Sequence, residues 1–506
     1  MHPGWLIGPT RVDVTDPRRD NLGRMAVLGG GDVSRPAPPF AAAAVLPIAA
    51  LTALAHCAAA LLGKGYWFDE VYMLAIGRFH LDWGAADQPP VTPALAALAD
   101  TVAPGSLVTL RAPAVLATGC AVVLAALIAR ELGGRRRAQA VTALAQATAL
   151  FSTFAGHWLT PYTLEPAQWL LLIWLLVRWI RTRDDRLLVA AGAATGLAAM
   201  TKFQVLLLCA VLLLGIAWCG PRALLRRPLL WVGAAVALAM VSPTLVWQHV
   251  HGWPQLQMTT VVAGEAEYLY GGRAGVAVQL ILFAGVLGVG LGVYGAWCLL
   301  RHAEFREYRF LPAVGVVLYV VFVATAGRPY YLGGLYAPFV AAGAVCLESV
   351  SPGTVRRWAL RVGTVTAVAA TVAILVLSVN ITPPDVGDRI AKAAATAYRD
   401  LPEDERDRTV LLGESYITAA YLDGAAPRYG LPQAYGTNRS YGYFTPPPDT
   451  ADEALYVGAE PDGMREHFVT VRNLATIDGD LKLFLLRERR HPWPQIWSEQ
   501  RSLTVS

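Results

Sequence analysis

The stretch Phe40-Ala-Ala-Ala-Ala44-Val-Leu-Pro-Ile-Ala-Ala-Leu-Thr-Ala-Leu-Ala-His56-Cys-Ala-Ala-Ala-Leu-Leu62 decides how this chain is read. It carries no Asp, Glu, Lys or Arg, and at about 1.5 Å of rise per residue it is long enough to cross about 30 Å of hydrocarbon. The rest of the chain repeats the pattern. Of 506 residues 55% are apolar and 16% charged, whereas soluble proteins average about a quarter charged. Intrinsic disorder, a collagen-like repeat and a secreted disulfide scaffold are excluded. The net charge of +5 does not indicate nucleic acid as a partner, because the arginines fall between hydrophobic runs rather than on one face.

Working outward from that span, residues 1–39 are polar and Arg-rich and lack the apolar core and cleavage site of a signal peptide. They read as a cytoplasmic tail, with Met25 an alternative start. Further spans are expected at 107–129, 138–155, 166–180, 187–200, 203–219, 229–247, 274–300, 310–326, 331–347 and 362–379, giving about eleven in all. The 187–200 run is short, so tilted or broken helices are expected. Seventeen arginines between Arg130 and Arg361 fall in the loops on the side of the N-terminus. The opposite loops and helix ends hold only Lys64, Arg78, Arg111, Lys202, Arg273 and Arg328. Because Lys and Arg in short loops stay cytoplasmic, the N-terminus is assigned inside and everything after about residue 380 outside.

Three parts follow: the tail 1–39, a transmembrane domain 40–380 with a long first outer loop 63–106, and an outer domain 381–506. The loop contains two helix-like stretches, 69–79 and 93–103, and loops of that length usually carry function. In the outer domain, strand-like runs at 409–412, 454–457, 468–471 and 482–486 predict a small α/β module.

The chemistry concentrates in the first outer loop, at Gly65-Tyr66-Trp-Phe-Asp69-Glu70-Val-Tyr72 and Trp83-Gly-Ala-Ala-Asp87-Gln88-Pro-Pro90. A carboxylate among aromatics beside a membrane has its basicity raised by desolvation, which suits a general base. The same residues also read as a helix start facing water with an aromatic belt at the interface, and composition alone does not separate the two. Glu165, after the outer loop that contains His157, is an acid at the mouth of a helix bundle, costly unless it faces a cavity or a partner. Lys202 and Arg328 lie at the same level, so cations and carboxylates converge on one membrane surface. That suits an anionic lipid-linked substrate, against the alternative of simple snorkelling.

Other patterns carry less. Gly290-x-Gly292-x-x-Gly295 spells a dinucleotide fingerprint, but inside an apolar run it reads as helix packing through small residues. His249 and His251 have no third ligand nearby in sequence, and Asp478-Gly-Asp480 reads as a turn. The cysteines Cys57, Cys120, Cys209, Cys219, Cys298 and Cys346 lie in apolar segments without CxxC spacing and read as small buried hydrophobes. No metal site is assigned, no cofactor is required, and a divalent cation finds no supporting ligand set.

Phe68-Asp69-Glu70-Val-Tyr72 with Asp87-Gln-Pro-Pro90 resembles the GT-C superfamily of membrane glycosyltransferases. Within it the chain is most similar to bacterial family 39, the protein O-mannosyltransferase-like enzymes, with the lipid A aminoarabinose transferase more distant. The resemblance covers roughly residues 40–445. It includes 196–202, Trp247-Gln-x-x-His251-Gly-Trp-Pro254, Arg328-Pro-Tyr330-Tyr331-x-x-Gly-Leu-Tyr336-x-Pro338 and Tyr435-Gly-Thr-Asn438-Arg-Ser-Tyr441. It implies inverting transfer of a hexose, mannose above others, from a polyprenyl phosphate to a hydroxyl on the extracytoplasmic face of the cell membrane. It implies Asp69 as the base, Glu70 in support and Glu165 as the second acid. Lys202 and Arg328 would hold the donor phosphate, and Tyr66, Tyr72, Asp87, Gln88, His157, His251, Tyr330 and Tyr331 would contact substrate. Relatives commonly carry Lys at the position of Arg328, Asp at that of Glu165 and His at that of Thr437, so charge survives at two of the three. The acceptor, whether protein, envelope glycan or lipid, or natural product, is left open. A transporter or flippase of lipid-linked intermediates is the alternative from another class. Ionisable residues at helix ends rather than at mid-membrane favour the enzyme over it. An inactive scaffold is the third reading, opposed by retention of Asp69, Glu70 and Lys202.

Overall fold

Among the described residues, four helices are each long and apolar enough to cross a bilayer, Ala42–Leu62, Leu107–Glu131, Pro228–Val250 and the run that begins at Thr354. They belong to a computed structural model that describes residues 36–350, 353–381 and 386–504; the tail up to residue 35 lies outside the described residues. In chain order the helices are α1 (Ala42–Leu62), α2 (Phe68–Phe79), α3 (Val91–Val102), α4 (Leu107–Glu131), α5 (Arg136–Ala147), α6 (Leu150–Ala155), α7 (Pro161–Thr182), α8 (Arg186–Ala199) and α9 (Gln204–Cys219). There follow α10 (Pro228–Val250), α11 (Pro254–Tyr270), α12 (Gly272–Leu282), α13 (Gly285–Arg301), α14 (Phe310–Ala324), α15 (Tyr336–Ser349), α16 (Thr354–Ile381) and α17 (Val386–Asp400). Each expected apolar run coincides with one or two of these helices, and α2 and α3 are the two helices expected in the first loop.

Two expected spans are broken, and the breaks meet. The 138–155 run divides into α5 and α6, and the 274–300 run into α12 and α13, which bend by 86°. The Leu150 N–H donates to the Phe283 carbonyl at 3.0 Å across the two breaks. Gly285 has φ +79°, and a Cβ there would stand 2.6 Å from the Thr148 carbonyl oxygen. Only glycine fits that position.

One helix was not anticipated. α11 buries Met258, Glu265 and Ala266 and exposes Leu256, Tyr268 and Leu269. It buries one acid beside apolar residues and exposes polar and apolar groups alike, so no amphipathic period reveals it.

The C-terminal domain, named outer for the side expected from the charge distribution, holds a five-stranded sheet of order β2-β1-β3-β5-β4. Strands β2 (Ala434–Tyr435), β1 (Thr409–Gly413) and β3 (Glu453–Gly458) run parallel, while β5 (Leu481–Arg489) and β4 (Phe468–Asp478) add antiparallel at one edge. The helix α18 (Tyr416–Tyr429) makes the β1-to-β2 crossover, and Asp478-Gly479-Asp480 is the β4–β5 turn. Side chains alternate along the strands with the period of two that a pleated sheet imposes. Val410, Leu412, Tyr456, Phe484 and Leu486 pack with Trp493 and Trp497 of α19 (Trp493–Gln500). Leu411, Leu455, Val457, Leu483 and Leu485 share a core with α17, α18 and Val71–Ile76 of α2. The outer domain therefore folds against the first loop as one hydrophobic unit, and that contact positions the site.

Candidate active site

Asp69 and Glu70 are neighbours in the first turn of α2, and helical geometry sends their side chains about 100° apart. Glu70 turns inward: it accepts the Trp67 N–H at 2.9 Å, capping the helix, and forms an ion pair with Arg111 of α4 in which both side chains are fully buried. Arg111 also donates to the Gly65 carbonyl at 2.7 Å and the Ala60 carbonyl at 3.1 Å. Glu70 is thus committed to holding α1, α2 and α4 together. Asp69 is left available. Its Oδ2 accepts the Tyr162 hydroxyl at 3.1 Å, and that hydroxyl accepts the Trp67 indole N–H at 2.8 Å. Trp67 is itself fixed by stacking on Trp158, with centroids 4.3 Å apart. Burial pushes the Asp69 carboxyl up to about 6; the Tyr162 hydrogen bond opposes the rise, Asp87 adds to it, and Arg439 and Arg328 oppose it.

On one side of Asp69, the Tyr162 ring lies 5.0 Å from Tyr330. Lys202 stands over the rings of Tyr330 and Tyr331, at 5.0 and 4.3 Å, and pairs with Glu165 Oε2 at 3.3 Å. On the other side, Asp87 Oδ1 accepts the Tyr72 hydroxyl at 2.9 Å and the Ser440 hydroxyl at 2.8 Å. The Ser440 N–H donates to the Tyr72 hydroxyl at 3.0 Å, so the outer domain reaches into the first loop here. Tyr72 lies 4.7 Å from Tyr416, whose ring lies 5.7 Å from the Arg439 guanidinium. Arg439 and Arg328 share one buried carboxylate, Glu265 of α11.

Polar satisfaction is incomplete in this region. Glu165 Oε1, Arg328 Nη1 and Arg439 Nε are buried and have no hydrogen-bond partner. Buried guanidinium donors without partners are costly unless a ligand supplies acceptors. Three acids, Asp69, Asp87 and Glu165, and three cations, Lys202, Arg328 and Arg439, thus surround one aromatic-walled region, able to take a proton at one place and an anion at another.

Of the residues singled out from sequence, Asp69, Tyr72, Asp87, Glu165, Lys202, Arg328, Tyr330 and Tyr331 come together here. Gln88 lies beside them, its carbonyl accepting the Ala85 N–H at 2.8 Å to close the turn. Tyr66, Glu70, His157 and His251 are used elsewhere. Tyr66 meets the outer domain, its carbonyl accepting the Tyr421 hydroxyl at 3.3 Å. His157 is buried, 5.7 Å from His56 and 4.8 Å from Trp158. His251 stacks on Trp247 at 3.8 Å and lines an open cavity of about 490 Å³ with Tyr443 and Arg501. Sequence reasoning did not single out Glu265, Tyr162, Tyr416, Arg439 or Ser440. Arg439 and Ser440 lay within the quoted Tyr435–Tyr441 stretch, and Glu265 left a signal as an acid between two apolar spans.

Residues 87–247 match the family model described as dolichyl-phosphate-mannose-protein mannosyltransferase. No curated protein matches the chain. Among solved structures, the chain is similar to ArnT from Cupriavidus metallidurans bound to undecaprenyl phosphate, at 15% identity and TM-score 0.60 over 88% of this chain and 98% of that one. It is also similar to the Archaeoglobus fulgidus oligosaccharyltransferase in the apo form, at 13% identity and TM-score 0.52 over 75% of this chain and 63% of that one. A third likeness is to the arabinofuranosyltransferase AftD from Mycobacteria, at 13% identity and TM-score 0.51 over 88% of this chain and 40% of that one. Residues 87–247 thus carry the family match, and along most of its length the chain shares the fold of the membrane glycosyltransferase ArnT.

Proposed function

We propose that the protein is an inverting glycosyltransferase that moves a hexose, mannose as the expected sugar, from a polyprenyl phosphate to an acceptor hydroxyl on the extracytoplasmic face. The observation that carries this reading is that Asp69, its carboxyl raised to about 6, feels the charges of Arg328 and Arg439, each of which has a buried guanidinium nitrogen without a hydrogen-bond partner. Asp69 takes the proton of the acceptor hydroxyl as its oxygen attacks the anomeric carbon. The bond from that carbon to the phosphate oxygen breaks, and the electron pair leaves with the lipid phosphate. Lys202 and Arg328 receive the charge that grows there, where fixed cations in a site screened from water act most strongly. Inversion follows from attack opposite the leaving phosphate. Glu165 holds the Lys202 ammonium in place, and Glu265 does the same for Arg328. Support for a lipid phosphate comes from ArnT, whose structure was solved with undecaprenyl phosphate bound.

The test is transfer of radiolabelled mannose from polyprenyl phosphate mannose into protein, lipid and small-molecule fractions of native membranes. Wild type is compared with Asp69→Asn. Label entering one fraction with wild type and not with the variant supports the reading. Equal label with both proteins removes Asp69 as the base. Movement of the lipid-linked sugar across the bilayer without its transfer replaces the enzyme by a flippase.

A further inference from the structure

The most closely approached pair of helices away from the catalytic chamber holds a second cluster. α13 and α15 cross at Gly295 and Gly343: a Cβ on Gly295 would stand 1.8 Å from the Phe339 carbonyl oxygen, and one on Gly343 would stand 2.3 Å from that of Leu291. Gly295 is the third glycine of Gly290-x-Gly292-x-x-Gly295 and the one pressed against the facing helix, whereas a Cβ on Gly290 would meet nothing within 4 Å. Three residues on from each glycine, on the same face, comes a cysteine. Cys298 and Cys346 are both buried, at 0 and 1% exposure. His302, four residues after Cys298 and at the end of α13, completes the group, and the two sulfurs and one imidazole nitrogen all lie within 4.8 Å of one another. The Glu304 carboxylate lies 3.8 Å from His302 Nδ1.

We propose that Cys298, His302 and Cys346 bind a zinc ion that ties the ends of α13 and α15 together at the face the arginine distribution assigns to the cytoplasm. Two thiolates and an imidazole are a soft donor set that suits zinc and not magnesium or manganese, and tetrahedral zinc accepts three such ligands plus one oxygen. A water fills the fourth position, the Glu304 carboxylate lying outside the ligand group. On binding, each thiol gives up its proton to solvent, and two thiolates with one divalent cation carry no net charge. That neutrality suits a helix end beside hydrocarbon, where an unpaired thiolate is penalised. His302 is half-exposed and gives the ion a way in from water. The i, i+4 spacing of Cys298 and His302 is present in the sequence, but the third ligand lies on another helix, which explains why the cysteines read there as inert.

The experiment is metal analysis of the full chain, purified in detergent under reductant with a tag that contains no histidine. About one zinc per chain is expected in wild type, falling at least about tenfold in Cys298→Ser and Cys346→Ser. Cobalt added to the metal-stripped protein should give thiolate charge-transfer bands that those variants lose. His302→Ala, at a half-exposed position, keeps the question answerable if the cysteine variants do not fold, and it should lose zinc as well. The proposal is overturned if wild type holds no more zinc than the double cysteine variant, if the cobalt spectrum lacks thiolate bands, or if the two thiols are joined as a disulfide in native membranes.

Discussion

At the scale of single residues, the first loop assigns different tasks to two adjacent carboxylates. Asp69 titrates at about 6 chiefly because it is buried. A base works only when deprotonated, so kcat/KM is expected to rise with pH up to about 6 and level off above, measured as a pH profile of glycosyl transfer. Asp69→Asn should lower kcat at least about a hundredfold, with binding of polyprenyl phosphate nearly unchanged, a combination that marks a group acting in the transition state. Glu70→Gln should do something else. It leaves the Arg111 guanidinium buried without its counter-charge, at a cost of about 3–5 kcal/mol. The outcome to measure is a lowered unfolding temperature and poor accumulation in the membrane, beyond any effect on rate. The Asp-Glu pair itself was legible in sequence. Which of the two faced the chamber was not, because the answer depends on Arg111, 41 residues further on.

At the scale of elements, the breaks in the apolar runs matter more than the runs. Composition places helices at 138–155 and 274–300 correctly but cannot say that each is interrupted, since a break depends on what stands opposite. Gly285 makes this concrete: its positive φ and the Thr148 carbonyl beside it exclude a side chain. Gly285→Val should therefore lower stability by more than about 1–2 kcal/mol, the cost of a left-handed backbone alone. Thermal unfolding in detergent would register this as a lower midpoint. α11 stayed hidden for a related reason. Its buried face carries Glu265, which two arginines from distant segments stabilise, and no local periodicity records that.

At the scale of the whole molecule, the outer domain completes the site rather than decorating it. Arg78 of α2 makes a two-pronged bond to Asp100 of α3, at 2.7 and 2.9 Å, and donates to the Asp423 carbonyl of α18 at 2.7 Å. Arg78→Ala should loosen this docking by about 2–3 kcal/mol. Faster hydrogen exchange in α2 and α18 together is the readout, with reduced transfer because Ser440 no longer meets Asp87. The Asp423 carboxyl adds a pH dependence. It is buried, accepts the Ala434 N–H at 2.7 Å and the Tyr441 hydroxyl at 2.6 Å, and is pushed by burial from 3.8 to about 7. The folded domain therefore holds a proton between about pH 4 and 7 that the unfolded chain has released, so stability falls as pH rises through that window. Asp423→Asn should flatten this dependence, as thermal unfolding across the same pH range would register.

The sequence by itself determined the membrane class, the apolar runs, the two loop helices, the α/β character of the outer domain and the identity of Asp69, Asp87, Glu165, Lys202 and Arg328 as chemically expensive residues. Each of these is a local property: length of apolar run, charge within it, alternation along a strand, cost of an ion near lipid. The tertiary structure adds that Glu70 pairs with Arg111, that His157 packs beside His56 and Trp158 and His251 on Trp247, that Glu265 pairs with both Arg328 and Arg439, and that Cys298, His302 and Cys346 meet. Those outcomes depend on partners from other segments, and a buried charge or thiol takes its role from the group that faces it across the fold.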